Sequence, residues 1–387
     1  MQQTILTKLY PKFSGSQNTL YVEPGTYQID AWKKINLKSN MNLVLAEGAV
    51  LQAIPNNKRG YDIVNVDHIE NVTIQGGTII GERSEHKKSS STSSDEWGMG
   101  IGIYDSKNIT VRDVTIRDCN GDGAYVGSRD EKASGAGSRY IYFENVKTEN
   151  NRRNNMSIVC AKDVIIKGCS FKNANGTPPE YGIDIETDYA SMPIERVTIQ
   201  GCEFSGNGQF ALGIINVAKD IRIVDSVLDG GFVNYAGGEN IILSGTTITG
   251  EVFAREPISI GEKVIFRGSL EKEDKLIAEY IEGRDKVSVP ITGFTLSAIS
   301  GGKISKLTYG KMYRFEYKVR GKGDWNFKST STGRYPVVPK SDKASSYVAT
   351  LVADINTSST TFKFYQDAKR SGDFLEITEF RVYEVVQ

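Results

Sequence analysis

Two carboxylates lie two positions apart in the segment "NGTPPEYGIDIETD", residues 175–188, where Asp184 and Glu186 alternate with isoleucines. This alternation predicts a β-strand, in which side chains at i and i+2 share a face with Cα atoms about 6.5 Å apart. Carboxyl groups so placed fall within the roughly 5–9.5 Å separations of glycosidases, where one donates a proton and the other serves as base or nucleophile. The pair therefore predicts acid–base chemistry on a sugar. The competing interpretation is a solvated outer face of the strand.

Further polar and aromatic side chains lie in or just before neighbouring predicted strands. Asp122 is a third carboxylate, which we expect to assist the catalytic pair. Guanidinium groups can hold an anionic group of a substrate, and aromatic rings can pack against sugar faces. The predicted substrate-binding residues are Arg152, Arg153, Asn155, Tyr181, Tyr125 and Trp97. The alternative is a surface network in which the two arginines pair with Asp184 and Glu186 without any reaction.

Composition argues against several other chemistries. The chain has two histidines and four cysteines, without CxxC spacing, so we predict no zinc-type metal site and no bound cofactor. Basic and acidic residues balance at 47 each, which predicts no nucleic-acid partner. No apolar run approaches the length of a membrane span, so we predict no membrane insertion.

A repeat along the chain must position these residues. Phrases such as "NVTIQGGTII", "DVIIKGCSFK" and "RVTIQGCEFS" recur between residues 71 and 249 at steps of 20 to 37 residues. Equivalent positions point into the core on every rung when parallel strands stack about 4.8 Å apart. One predicted inward column is Ile74, Val111, Phe143, Ile166, Ile199, Ile223 and Leu243. The repeat predicts an all-β fold, a right-handed parallel β-helix, with Cys169 and Cys202 as core neighbours rather than a disulfide.

The strand before each repeat phrase is predicted to face outward and to carry the candidate site. Aligning these strands predicts two outward columns. The first is Gly102, Tyr125, Ser157, Asp184 and Ile214. The second is Tyr104, Gly127, Val159, Glu186 and Asn216.

The rungs fade after about residue 250, and a different pattern follows. Alternation in "MYRFEYKVRG", "TTFKFYQ" and "FLEITEFRVYEV" predicts antiparallel strands. The predicted domains are a β-helix over 1–270 with the catalytic and glycan-binding residues, a connector over 271–286, and a small antiparallel β-sandwich over 287–387. The order of phrases in the last domain resembles jelly-roll carbohydrate-binding modules, and a trimerisation domain is the alternative.

The run from "PGTYQI" through "LKSNMNLVLAEGAVL" to "NVTIQGGTIIG" resembles the opening coils of polygalacturonase-type, pectin-lyase-like β-helix proteins, over roughly residues 20–250. "NGDGAYVG" resembles the N-x-D-G catalytic turn of that family, which implies an acid role for Asp122. Asn154 and Asn155 stand where the family has paired aspartates, and its Gly-His-Gly and Arg-x-Lys motifs are absent. The longer run "NNRRNNMSIV … GTPPEYGIDIE" resembles phage tailspikes and related depolymerases of bacterial surface polysaccharides.

The resemblance implies three hypotheses for function. The first is a phage tailspike-type or secreted polysaccharide depolymerase, a homotrimer in the virion tail or outside the cell, that hydrolyses a bacterial surface or extracellular glycan. The second is a non-catalytic glycan receptor-binding protein. The third is a uronate lyase or epimerase, because "YGIDIE" resembles the Tyr-Gly-x-Asp segment of alginate epimerases. A Ca²⁺ requirement would favour that hypothesis, because clustered acids can hold Ca²⁺.

Overall fold

The structure, a computed structural model, is described for most of the first 254 residues and for separate strands beyond them. The described residues are 12–14, 17–90, 93–130, 135–187, 189, 192, 194–234, 238–249, 252–254, 258–260, 265–267, 275–281, 294–295, 312–329, 334–354, 362–366 and 374–384. In these ranges the chain forms strands, turns and irregular segments. They contain no helix long and apolar enough to cross a membrane.

Three parallel sheets run side by side along the first two thirds of the chain, and each coil adds one strand to each of them. The described strands of sheet 1, in spatial order, are Ile35–Asn36, Gly60–Asp67, Trp97–Tyr104, Ala124–Gly127, Met156–Ile158, Ile183–Glu186, Leu212–Ile215, Phe232–Asn234 and Val252–Ala254. Those of sheet 2 are Lys12–Ser14, Gln17–Val22, Met41–Leu45, Glu70–Gln75, Lys107–Arg112, Ser138–Glu144, Ala161–Lys167, Ile194–Gln200, Ala218–Val224, Gly238–Ser244 and Ile258–Ile260. Those of sheet 3 are Gly25–Ile29, Ala49–Ala53, Thr78–Ile80, Thr115–Arg117, Lys147–Glu149, Ser170–Lys172, Glu203–Ser205, Val227–Asp229, Thr247–Thr249 and Ile265–Arg267.

This arrangement confirms the predicted right-handed parallel β-helix, the hand that twisted strands favour in parallel crossovers. The predicted inward column from Ile74 to Leu243 pairs residue by residue across sheet 2 and is fully buried. On sheet 3, the rings of Phe171 and Phe204 stack with centroids 4.9 Å apart. All four cysteines are free and buried, which confirms the prediction made for Cys169 and Cys202. Continuous burial of such columns supplies most of the driving force for folding.

The strands of sheet 2 repeat one backbone conformation at their second or third residue. Seven residues at equivalent positions have φ between 54° and 59°: Asn71, Asn108, Tyr140, Asp163, Arg196, Asp220 and Asn240. Asparagine and aspartate tolerate this left-handed region better than other residues with a Cβ. The same side chains also bond along the stack, since Asn108 Nδ2 donates to Asn71 Oδ1 at 2.7 Å. Local backbone preference and neighbouring rungs therefore select the same residue types.

The C-terminal strands form one antiparallel sheet, sheet 4, in the described part of that region. Its strands are Lys275–Ile281, Phe294–Thr295, Met312–Ser329, Arg334–Asp354, Phe362–Gln366 and Phe374–Glu384. Tyr317, Val319 and Trp325 are buried in it, which agrees with the alternation read from "MYRFEYKVRG". Closure into a sandwich and the domain boundaries stay predictions. Lys275–Ile281, inside the predicted connector, is a strand paired with Phe374–Glu384.

Candidate functional site

The outward face of sheet 1 brings four predicted residues into one row. Asp184 is the Cα partner of Ser157, Ser157 of Tyr125, and Tyr125 of Gly102. The predicted column is wrong at the next rung, where the partner of Asp184 is Gly213. Ile214 is fully buried in the core instead. Because side chains alternate along a strand, this error of one residue exchanged the inner and outer faces.

The second predicted column is also only partly right. Tyr104 pairs with Gly127 as predicted, but Glu186 pairs with Ile215 rather than with Asn216. Glu186 is half-buried and lies two residues from Asp184 on the same strand, Ile183–Glu186. The two carboxylates therefore share the outward face that the sequence predicted for them.

Asp184 is a buried acid with an incomplete set of hydrogen bonds. Its side chain is 2% exposed, and Oδ2 accepts a bond of 3.1 Å from Asn154 Nδ2. Its other oxygen, Oδ1, is buried without a hydrogen-bond partner in the protein. Burial raises the pKa of Asp184 to about 8, the charge of Glu186 adds to the shift, and Arg153 opposes it. Asp184 consequently carries a proton at neutral pH, which is the state a general acid requires.

Asp122 lies in a closed network behind this acid. Its carboxylate accepts bonds from Ser157 Oγ at 2.6 Å, Asn154 N at 2.9 Å and Arg153 Nη1 at 3.1 Å. Burial raises the pKa of Asp122, and these donors act in the opposite direction. The side chain is fully buried. Three protein donors already occupy its carboxylate, whereas Asp184 keeps one oxygen without a protein partner, so Asp122 fits a group that fixes Ser157 and Arg153.

Arg153 connects the acids with an exposed aromatic ring. Its Nη2 lies 4.0 Å from Asp184 Oδ2, and its guanidinium carbon lies 5.5 Å from the ring centroid of Trp97. Trp97 is 40% exposed, and it meets Tyr125 edge to face at 6.4 Å. The structure thus brings together three of the predicted binding residues beside Asp184.

Tyr181 lies over the next rung beyond the acids. A Cβ placed on Gly213 would approach Tyr181 Cε2 to 2.5 Å, so the glycine makes room for this ring. Burial, helped by the negative charges of Asp184 and Glu186, raises the pKa of Tyr181 to about 12. Its hydroxyl therefore stays protonated at neutral pH and can act as a hydrogen-bond donor.

The structure places two predicted binding residues away from this face. Arg152 donates to the backbone carbonyls of Ser94 at 2.6 Å and Asn120 at 3.2 Å, so it ties the loop before Trp97 to the next turn. Asn155 is fully buried, and its Nδ2 donates to Lys172 O at 3.0 Å. Successive residues in a turn point in different directions, and the neighbours Arg153 and Asn154 face the acids instead.

A cleft of about 340 Å³ opens on the same face, nearer the N-terminus. Of the residues that line it, the sequence indicated Trp97 and Tyr125 as substrate-binding residues and did not indicate the charged group around Asp62. Its lining residues are Lys34, Gly60, Tyr61, Asp62, Trp97, Met99, Tyr104, Tyr125, Ser128 and Arg129. Asp62 accepts bonds from Lys34 Nζ at 2.6 Å, Tyr104 OH at 2.8 Å and Arg129 Nη2 at 2.9 Å. The Arg129 guanidinium lies 3.3 Å from the Tyr104 ring centroid.

The acids near Asp184 are the expected Ca²⁺ ligands under the epimerase hypothesis. Among the described residues, no three or more His, Cys, Asp or Glu side chains are grouped as a metal site requires. The acids near Asp184 are instead met by Arg153 and by hydrogen-bond donors. The expectation of Ca²⁺ therefore stays a prediction from the sequence.

The sequence profile of a family described as "Right handed beta helix region" matches residues 62–260. This match spans just over half of the chain. The chain belongs to this right-handed β-helix family. The matched range includes Asp62, Asp122, Asp184 and Glu186, so the family fold positions the acids and most of the residues that line the cleft.

Two curated relatives come from Bacillus subtilis (strain 168). The chain is 30% identical to the uncharacterized protein YclG over 329 residues, covering 78% of this chain and 54% of YclG. It is 30% identical to the SPbeta prophage-derived uncharacterized protein YorA over 237 residues, covering 57% of this chain and 40% of YorA. The chain thus spans about half the length of the curated relatives it matches.

Solved structures with a similar backbone come from phages and from sugar-modifying enzymes. Tailspike gp49 of Acinetobacter baumannii bacteriophage Fri1, a capsular polysaccharide depolymerase, matches with a TM-score of 0.43 and 14% identity, over 96% of this chain and 82% of its own. The A-module of the mannuronan C-5 epimerase AlgE4 from Azotobacter vinelandii matches with a TM-score of 0.35 and 15% identity, over 65% of this chain and 87% of its own. The N-terminal fragment of bacteriophage phi29 gene product 12 matches with a TM-score of 0.40 and 13% identity, over 65% of this chain and 61% of its own. Similarity at this level transfers no residue role.

Proposed function

We propose that the protein is a polysaccharide-active enzyme that hydrolyses a glycan chain on the outward face of sheet 1. The observation that carries the proposal is the state of Asp184, an acid 2% exposed with one oxygen unpartnered in the protein. Its pKa, raised to about 8 by burial, keeps it protonated at neutral pH. A buried neutral carboxyl group beside an ionised carboxylate is the arrangement that glycoside hydrolysis uses.

Asp184 is the proposed general acid, and Glu186 is the partner carboxylate. Asp184 gives its proton to the glycosidic oxygen as the bond from that oxygen to the anomeric carbon breaks. Water attacks the anomeric carbon, and Glu186 takes the proton that this water loses. The products are two shorter glycans, and the two carboxyl groups have exchanged roles as proton carriers. Proton exchange with solvent then restores the starting state.

Asp122 is proposed as a positioning residue, with Arg153 and Asn154 as the groups that it positions. Asn154 donates through its backbone to Asp122 and through its side chain to Asp184, at 2.9 and 3.1 Å. Its Oδ1 also accepts a bond of 2.9 Å from Tyr181 N. One asparagine therefore sets the relative position of both acids and of Tyr181.

Chain shortening of purified glycans tests the proposal. The wild-type protein is incubated with capsular, exopolymeric and teichoic glycans, and product length is measured by size-exclusion chromatography. Asp184→Asn and Glu186→Gln are each expected to lower the cleavage rate by about 10²–10⁴-fold. Glu239→Gln, at an exposed acid on sheet 2, is the control and is expected to cleave normally. Cleavage that survives Asp184→Asn contradicts the proposal, and an unsaturated product indicates a lyase.

A glycan-binding protein without catalysis is the second candidate. The closed network around Asp122 favours it, because Arg153, Ser157 and Asn154 occupy the carboxylate of that residue. Under this candidate the wild-type protein binds a glycan and leaves its length unchanged. Binding measured by calorimetry on the same glycans separates the two functions.

The proposal includes a location in the virion tail or outside the cell, and a homotrimer. The prophage origin of YorA supports a phage setting. Light scattering tests the assembly, with an expected mass of three times the 42.7 kDa of one chain. A mass of one chain at micromolar concentration contradicts the trimer.

A further inference from the structure

The cleft beside Tyr104 has the composition of a sugar-binding site. Four aromatic residues line its 340 Å³ together with charged and hydroxyl groups. Tyr104 and Tyr125 pack at a tilt with centroids 5.5 Å apart, and Trp97 meets Tyr125 edge to face. Aromatic surface next to a few fixed polar groups is typical of small-ligand sites.

The polar groups of the cleft are held in place before any ligand binds. Asp62, 2% exposed, accepts from Lys34, Tyr104 and Arg129. Arg129 is fixed further by Asp67, whose carboxylate accepts from Nε at 3.1 Å. An ammonium has three donors and a guanidinium has five, so both cations keep donors for a ligand. Such groups can bond sugar hydroxyls without first being ordered.

The cleft continues toward the acids. Asp62 lies on the Gly60–Asp67 strand, and Asp184 lies four rungs further along sheet 1. At about 4.8 Å per rung this separation is about 19 Å. Trp97 lies between them, since it contacts Tyr125 in the cleft and Arg153 beside the acids. One extended glycan lying along the face contacts both places.

The charges along this face oppose an acidic glycan. In the described residues of the cleft and the acid cluster, each cation lies within hydrogen-bond distance of a carboxylate: Lys34 at Asp62, Arg129 at Asp62 and Asp67, and Arg153 at Asp122. Glu186 adds a negative charge next to Asp184. A uronate carboxylate or a phosphate bound here loses its hydration beside these anions, and the charge of each neighbouring cation is already balanced by a carboxylate.

We infer that the cleft is a subsite for neutral sugar units and that the glycan bound along this face is neutral. The inference rests on the proposed function for its link to cleavage. Hydroxyl groups bond to Lys34 and Arg129, which Asp62 holds in place, and Trp97 packs against a sugar face. This differs from the expectation drawn from the arginine pair, in which an anionic group of the substrate was held.

Matched polysaccharides test the charge preference. Polygalacturonate, alginate and hyaluronan are each compared with their carboxyl-reduced forms, alongside neutral and acidic capsular polysaccharides, by calorimetry at low ionic strength. The neutral members are expected to bind at least about tenfold more tightly than their acidic partners. Equal or tighter binding of the acidic members overturns the inference, and so does a failure to bind any member of the set.

Cleft variants distinguish this inference from the proposed hydrolysis. Trp97→Ala is expected to weaken binding about tenfold or more and to raise KM with little change in kcat, while Trp97→Phe restores most of the binding. Asp184→Asn is expected to keep binding and to lose cleavage. Unchanged binding by Trp97→Ala with normal cleavage overturns the subsite and leaves hydrolysis standing. Binding that depends on Trp97 without any cleavage supports the subsite and contradicts hydrolysis.

Discussion

At the scale of single residues, the environment of Asp184 lowers the stability of the folded protein and keeps the acid protonated. A carboxyl group that keeps one buried oxygen without a protein partner is poorly placed as an anion. Burial raises the pKa of Asp184 to about 8, whereas its ordinary value is 3.8. Groups in such settings are common at functional sites, because there the surrounding fold compensates for their unfavourable surroundings.

Asp184→Asn is therefore expected to stabilise the protein at alkaline pH. Between about pH 4 and pH 8 the folded wild type keeps a proton that the unfolded chain has released, so its free energy of unfolding falls as pH rises through this window. The variant lacks this dependence and should gain on the order of a few kcal/mol at pH 8. Urea unfolding at pH 5 and pH 8 measures it, with Glu239→Gln as the control. A variant less stable than wild type at pH 8 contradicts the pKa assignment.

The same proton sets the pH dependence of cleavage. Because the pKa of Asp184 is about 8, the rate is expected to hold between pH 6 and 7 and to fall tenfold per pH unit above about 8. Initial rates at saturating glycan from pH 5 to 10 give the profile. A rate that stays constant to pH 10 shows that another group donates the proton.

At the scale of elements, the sequence predicted the inward columns of the repeated strands but not the orientation of side chains in the turns. Inward columns were readable because alternation and stacking impose the same residue types on every rung. The doublets Arg152–Arg153 and Asn154–Asn155 show the limit, since a turn has no period that tells which member faces the site. Arg153 and Asn154 contact the acids. Arg152 and Asn155 instead donate hydrogen bonds to backbone carbonyls of other turns and strands.

The charged group around Asp62 in the cleft could not be predicted for a related reason. Asp62 meets Lys34 and Arg129 across sequence separations of 28 and 67 residues. Coils of unequal length hide which charged residues end on adjacent rungs. Each of these residues, taken alone, resembles an ordinary solvated surface charge.

The repeated left-handed position near the start of sheet 2 strands offers a test of backbone preference. Tyr140 has φ of 58° in a column otherwise rich in Asn and Asp, and its side chain is 62% exposed. Tyr140→Asn should stabilise the protein by about 1 kcal/mol, because asparagine accepts this conformation more readily. Thermal unfolding measures the gain. Tyr21→Asn, within the Gln17–Val22 strand, is the matched control and should be neutral or destabilising. Destabilisation by Tyr140→Asn shows that packing of the ring outweighs backbone preference.

At the scale of the whole molecule, a parallel β-helix has two open ends. At the N-terminal end of the described strands, Lys12–Ser14 pairs antiparallel with Gln17–Val22 and covers that edge of sheet 2. At the C-terminal end, the strand Arg334–Asp354 of sheet 4 packs against Val252–Ala254 and Ile258–Ile260 of the last coils. Unpaired strand edges associate with other chains, so solenoids need such caps.

Ending the chain at residue 270 is therefore expected to cause association through the uncovered last coil. Without sheet 4 the strands Val252–Ala254 and Ile258–Ile260 lose their contact with Arg334–Asp354, and strands of a second molecule can pair with the exposed edge. Light scattering should show a mass that increases with concentration, and the urea midpoint should fall below that of the full chain measured in parallel. Added fragment 271–387 should reduce the association if sheet 4 acts as a cap. The opposite outcome is a shortened chain that has the same number of chains per particle and the same urea midpoint as the full protein. That outcome would show that the β-helix folds without sheet 4, and glycan binding would then be the remaining predicted role of sheet 4.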